Sequence, residues 1–199
     1  MKPILIATTN RGKIVELCDL LPGFQLLTPA EISLDMDVEE TGSTYAENAA
    51  LKASAFCRAS GLIALADDSG LEVDALNGAP GLYSARFSPK PGATDADRRA
   101  LLIERLAGFP RPWLAHFHCT VAIAIPGPDN PLIHFASGDC PGEIIPIERG
   151  SNGFGYDPIF QLSESGHTMA ELTRDEKNKL SHRALAVTAA IPLLERLLR

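Results

Sequence analysis

The sequence predicts an α/β fold built on a central mixed β-sheet flanked by helices. Two patterns carry that prediction. Short apolar runs of strand length lead into helix-spaced segments, and one long alternating run is followed by a second across a turn-rich link. The first pattern belongs to βα units, the second to an antiparallel pair.

In chain order, "KPILIA" is a strand-length apolar run that breaks into the polar "TTNRGK". "IVELCDLL" then carries apolar residues at Ile14, Leu17, Cys18 and Leu21, a helical spacing. A second helix is predicted over "TYAENAALKASAFCRA", with Thr44 and Glu47 fitting a capping box and alanines favouring the helix interior. Gly61 is its expected stop, and "LIALA" reads as a buried strand ending at "DDSG". A helix is predicted from Asp95 to Leu106. "HFHCTVAIAI" alternates as a long strand should, with "PLIHFASG" as its hairpin partner across "PGPDNP". From Ser181, a plausible N-cap, to Leu198, residues Ala186, Ala190, Leu193, Leu194 and Leu197 fall on one helical face. Pro192 should kink or split that helix, because it has no N–H to donate to residue 188. No repeat or linker interrupts the chain, so residues 1–199 are read as one domain.

Composition narrows the function classes. Lys and Arg number 18 against 25 Asp and Glu, a net charge of −7, which argues against a nucleic-acid-binding face. No apolar run is long enough for a membrane span or an export signal, so no membrane partner and a cytoplasmic location are expected. The four cysteines form no C-x-x-C pair and read as reduced, buried thiols. In "HFHC" a strand would put His116 and His118 on one face and Cys119 on the other, which does not suit a metal.

Four polar islands resist explanation by packing. "TTNRGK" lies between a strand and a helix, where helix N–H groups suit a phosphate, yet Asn10 would equally serve as an ordinary cap. It lacks the Walker A spacing. "EETGSTYAEN" offers Glu39 and Glu40, which taken alone read first as a solvated acidic loop. "ADDSG" puts Asp67 and Asp68 at a strand end, where α/β proteins place ligands. Two adjacent acids repel unless protonated or bridged by a cation, and magnesium is the economical choice. "DEKNKLSHRALA" puts His182 and Arg183 in a first helical turn, where cations are disfavoured, so Arg183 calls for an anionic or carbonyl-rich partner.

Together "ATTNRGKIVEL", "EETGSTYAENAALKA", "LADDSGLEVDALNGAPGLYSARF", "GFGYDPIF" and "ELTRDEKNKLSHRALA" resemble the inosine/xanthosine triphosphate pyrophosphatase family, over nearly the whole chain. The resemblance implies an elongated two-lobed fold with a nucleotide cleft between the lobes, a homodimer, and magnesium dependence. It implies hydrolysis of ITP, dITP and XTP between the α- and β-phosphates, giving the monophosphate and pyrophosphate. Carried onto this chain, Thr8, Thr9, Asn10, Arg11, Gly12 and Lys13 would hold the triphosphate, with Lys52 nearby. Glu40 and Asp68 would bind the metal, Asp68 also being the catalytic acid-base residue. Ser69, Phe154, Gly155, Tyr156, Asp157, Lys177, His182 and Arg183 would line the nucleotide site. Phe154 would stack on the purine, with Gly153 and Gly155 leaving room for the ligand, and Tyr156 is the more suited to packing.

Selectivity would follow from matching donors to acceptors. Arg183, with His182 and Asp157, would read the 6-oxo edge, where adenine presents a donor instead. Guanine shares that oxygen, so its rejection would depend on the 2-position. Nearby lysines and magnesium are expected to lower the Asp68 pKa, which weights Asp68 toward binding metal and orienting water. Lys13, Lys52 and Lys177 would stabilise the departing pyrophosphate. The alternatives are a pyrophosphatase of related fold acting on pyrimidine or modified nucleotides, and a nucleotide-binding module without turnover.

Overall fold

A computed structural model describes residues 2–198 of the chain. β1 (Ile4–Ile6), β2 (Leu26–Leu27), β3 (Ile63–Val73), β4 (Trp113–Ile125), β5 (Leu132–Ile144) and β6 (Phe160–Leu162) form one sheet in the order β2-β1-β3-β4-β5-β6. β1 runs parallel to β2 and to β3, whereas β6 is antiparallel to β5, so the sheet is mixed as expected. β4 and β5 are neighbours joined by a link too short for a parallel crossover.

The helices are α1 (Arg11–Leu20), α2 (Tyr45–Ser60), α3 (Asp95–Leu106), α4 (Arg174–Leu180) and α5 (His182–Leu198). The chain divides into two compact units, Met1–Asp68 with Cys119–Gly138 and Arg183–Arg199, and Ser69–His118 with Asp139–His182.

In the first unit the pleat sorts side chains strictly. Ile63 and Leu65 of β3 join Ile4 and Ile6, Cys119, Val121 and Ile123 in a core closed by Leu17 and Leu21 of α1 and by Ala186, Val187, Ala190 and Leu194 of α5. Ala64 and Ala66 point the other way, with Leu5, Ala122 and Ala124, onto Ala49, Ala53, Phe56 and Cys57 of α2. Successive β3 residues therefore serve different helical layers. In the second unit, Leu102 and Leu106 of α3 pack with Leu71, Val73, Trp113, Phe117, Tyr156 and Phe160.

Several expectations need correction. β3 does not stop at "DDSG" but continues to Val73, so Asp67 and Asp68 lie inside a strand. Thr44 caps α2 by accepting the Glu47 N–H, but the Glu47 carboxylate bonds Ser43, so the capping box is only half formed. Gly61 does end α2, at φ 70°. Pro192 lies within α5 without splitting it. Cys18 is exposed, and the inward position on α1 belongs to Glu16 instead. The other three cysteines are buried thiols. His116 faces Glu72, His118 bonds Asp139, and Cys119 lies in the core.

Candidate functional site

The polar groups of the first unit form two clusters, one on each face of β3. On the α1/α5 face, Asp67 is wholly enclosed. Its Oδ2 accepts from Arg183 Nε at 3.1 Å and Nη2 at 3.0 Å, and lies 3.1 Å from Lys13 Nζ. Arg183 Nη1 donates to Glu16 of α1, and Lys13 Nζ also reaches the Asp67 carbonyl at 3.4 Å. Burial alone would raise the Asp67 pKa, but Lys13 and Arg183 outweigh it and hold the carboxyl well below its usual range. The Arg183 guanidinium is held above its ordinary value, since Asp67 and Glu16 more than offset its desolvation. The anion that a cation in the first turn of α5 demands is thus supplied by the protein itself. Arg183 is 2% exposed, a placement that sequence reasoning about an external partner did not foresee.

Asp68 faces α2. Its Oδ2 accepts from Asn48 Nδ2 at 3.1 Å, and its Oδ1 lies 3.6 Å from Lys52 Nζ. The same ammonium donates to Glu40 Oε1 at 2.5 Å. Burial leads in raising the Asp68 pKa, and Glu40 adds to it, together exceeding the opposing pull of Lys52. Without a metal, the lysines alone do not lower it; the lowering expected from magnesium concerns the metal-bound site. Lys52 is desolvated too, yet Asp68, Asp67 and Glu40 keep its pKa raised. Asn48 is fully buried and also accepts the Gly42 N–H at 2.8 Å, tying the loop that carries Glu40 to the carboxylate of β3. Its position in the first turn of a helix gave no hint of this.

Asp67 and Asp68 thus do not confront each other, because the pleat separates them and each has its own cations. The bridging ion inferred from their adjacency is not required by that pair. The pair that does converge is Glu40 with Asp68, on one ammonium. Glu39 is exposed.

At the start of α1, Asn10 accepts the Lys13 N–H at 3.2 Å and so is a genuine cap. Arg11, Gly12 and Lys13 form the first helical turn, while Thr8 and Thr9 precede it. Thr9, Asn10 and Arg11 are exposed.

In the second unit, Phe154 is flanked by Gly153 (φ 76°) and Gly155 (φ 62°), a left-handed backbone that favours glycine. A Cβ at Gly153 would lie 2.0 Å from Asp157 Oδ2, so the group that needs the space is the chain's own carboxylate. That oxygen accepts the Phe154 N–H at 2.9 Å and the Lys177 ammonium at 2.6 Å. Lys177 Nζ also sits 5.0 Å from the centre of the Phe154 ring, which remains half-exposed. Lys177 comes from α4, which the sequence reading missed although Thr173 and Glu176 spell its capping box.

Asp157 is buried, and this oxygen is taken up in holding the loop. Tyr156 is a core residue whose hydroxyl donates to the Ser84 carbonyl at 2.9 Å. Tyr156→Phe is expected to lower unfolding free energy by about 1 kcal/mol, the worth of one hydrogen bond, as urea denaturation would measure. Unchanged stability would show that this hydrogen bond does not help to hold the core. His182 stacks on Phe117 at 4.7 Å and 13°, and Ser69 is a half-buried position in β3.

The α/β sheet thus carries two ion clusters, in which Lys13 and Arg183 gather on Asp67 and Lys52 on Asp68 and Glu40. The chain belongs to the Ham1 family, whose model matches residues 4–193. It is 46% identical to the dITP/XTP pyrophosphatase of Desulforamulus reducens, covering 98% of this chain and 96% of that protein. It is 49% identical to the dITP/XTP pyrophosphatase of a Synechocystis strain, covering 96% and 94%. Among solved structures, the HAM1 protein of Coxiella burnetii aligns with a TM-score of 0.88 at 41% identity, covering 98% of this chain and all of that one.

Proposed function

We propose that the protein hydrolyses ITP, dITP and XTP to the nucleoside monophosphate and pyrophosphate, clearing deaminated purines from the nucleotide pool. The observation that carries this reading is the convergence of Glu40 and Asp68 on one ammonium, in a chain nearly half identical to dITP/XTP pyrophosphatases. Magnesium fits that pair. The described residues contain no group of three or more His, Cys, Asp or Glu able to hold a metal ion, so phosphates and water would complete the coordination. Bound there, the ion would polarise the phosphates and acidify the attacking water.

The chain's own residues do the rest. Lys52 neutralises both carboxylates and can turn to a phosphate oxygen. Asn48 fixes Asp68 Oδ2, leaving Oδ1 to orient water or accept its proton. Thr8 to Lys13 hold the polyphosphate, with Lys13 and Lys177 against developing charge on the leaving group.

The purine stacks on Phe154, and Ser69 and Gly155 lie along the nucleotide. His182 and Arg183 supply donors to the 6-oxo edge, where the adenine amino group would face donor with donor. Both side chains are buried, so this contact requires that they be uncovered as the base binds. Asp157 acts by placing Phe154 and Lys177, and Tyr156 by supporting the loop.

The activity is assayed by supplying ITP, XTP, GTP and ATP with and without magnesium. Pyrophosphate should appear from ITP and XTP at least about 10²-fold faster than from ATP, and chelation should stop it. Release of orthophosphate, or no release from any of the four, would refute the reading. A homodimer working in the cytoplasm is part of the same proposal, and light scattering tests the dimer. No helix among the described residues is long and apolar enough to cross a membrane.

A further inference from the structure

We infer that Asp95 and Arg99 of α3 are positioning residues for the Phe154 ring, acting through the peptide groups of Gly155. The inference rests on the reading that this ring receives the purine.

Asp95 and Arg99 are four residues apart and share a helix face. The Gly155 N–H donates to Asp95 Oδ2 at 2.8 Å, and the Gly155 carbonyl accepts from Arg99 Nη1 at 2.8 Å. Arg99 also binds the two Glu148 oxygens, Nε at 2.8 Å and Nη2 at 3.0 Å, fixing the chain upstream of the loop. This bidentate fork leaves Arg99 little freedom of its own. Arg98 pairs with the other Asp95 oxygen.

Asp95 is not needed to start the helix. Thr94 and Asp97 form a complete capping box, with the Thr94 side chain accepting the Asp97 N–H and the Asp97 carboxylate accepting the Thr94 N–H. Asp95 therefore faces the loop for another purpose. Burial would raise its pKa, but the Gly155 N–H and its arginine neighbours keep it below the ordinary value, so the acceptor is ionised.

The target is a ring that stands partly in solvent. Phe154 is 37% exposed, and Gly155 has φ 62° with open space where a Cβ would stand. Glycine has more backbone freedom to lose than any other residue. With the Phe154 N–H on Asp157 and both Gly155 peptide groups on α3, the backbone on each side of the ring is fixed before a base arrives. Preorganisation of this kind strengthens binding without new ligand contacts.

The test measures ITP hydrolysis by Asp95→Ala and Arg99→Ala, alone and combined with Phe154→Ala. Each single variant should raise KM for ITP about tenfold, comparable with weakening one base–aromatic stack, with kcat changed less than about threefold. Added to Phe154→Ala, neither should raise KM further. Inhibition by inorganic tripolyphosphate, which has no base, should be unaltered. Asp95→Asn keeps an acceptor for the Gly155 N–H and should restore most of the affinity.

Additive KM effects in the Phe154→Ala background, or equal weakening of tripolyphosphate, would overturn the inference while leaving the stacking role intact. A Phe154→Ala variant with normal KM would overturn both. Should Arg99→Ala fail to fold, Arg99→Lys undergoes the same cycle, since a lysine cannot span Glu148 and the Gly155 carbonyl with a planar fork.

Discussion

Asp68→Asn is expected to lower kcat for ITP by about 10²- to 10⁴-fold, the range associated with losing a positioned acid or base. Nucleotide binding should survive within a few-fold. The amide keeps the size of the carboxylate and can still accept from Asn48 or Lys52. It cannot take a proton from water at neutral pH, and it removes one of the two negative charges that converge beside Lys52. Pyrophosphate release gives kcat, and calorimetric titration of the variant with nucleotide and magnesium gives binding. A variant with normal kcat and only weakened binding would move Asp68 out of the chemistry.

Arg183→Ala should lower unfolding free energy by about 3–5 kcal/mol, because it leaves Asp67 and Glu16 without their shared counter-ion. A loss below about 1 kcal/mol in denaturant titration would show that these carboxylates find other partners at no cost. Acid titration offers a second readout. The folded-state pKa of Asp67 is depressed, so its contribution to stability is fully present above the unfolded value of about 3.9. That contribution is lost as pH falls through the folded value. Stability of the wild type should therefore decline on acidification below about pH 4 more steeply than that of Asp67→Asn. Selectivity needs the gentler Arg183→Lys, which keeps a charge beside Asp67 but loses the fork. A narrowed ratio of ITP to ATP kcat/KM is expected, and an unchanged ratio would remove the arginine from base reading.

Much of this molecule was legible because local patterns were consistent with the global fold. The alanine-rich α2 with Thr44 before it and Gly61 after it follows from propensity and caps alone. The face of α5 carrying Ala186, Ala190 and Leu194 follows from periodicity. The end of β3 did not, because buried acids read as the close of a strand unless their partners are known. Lys13, Lys52 and Arg183 come from three distant helices, and only the fold shows that they enclose Asp67 and Asp68. Glu16, Asn48, Asp95 and Arg99 were missed for a related reason. Each looks like ordinary helix composition until the atom opposite it is known.

The separation of Asp67 from Asp68 by the pleat has an evolutionary corollary. From Ile63 to Asp68 of β3, parity acts as an address: odd positions report to α1 and α5, even positions to α2. A single residue inserted upstream in that strand would deliver each acid to the other's neighbourhood, with no change in composition at either position. Unless a bulge absorbed the extra residue, a change of one in the length of that segment would disable both ion clusters together.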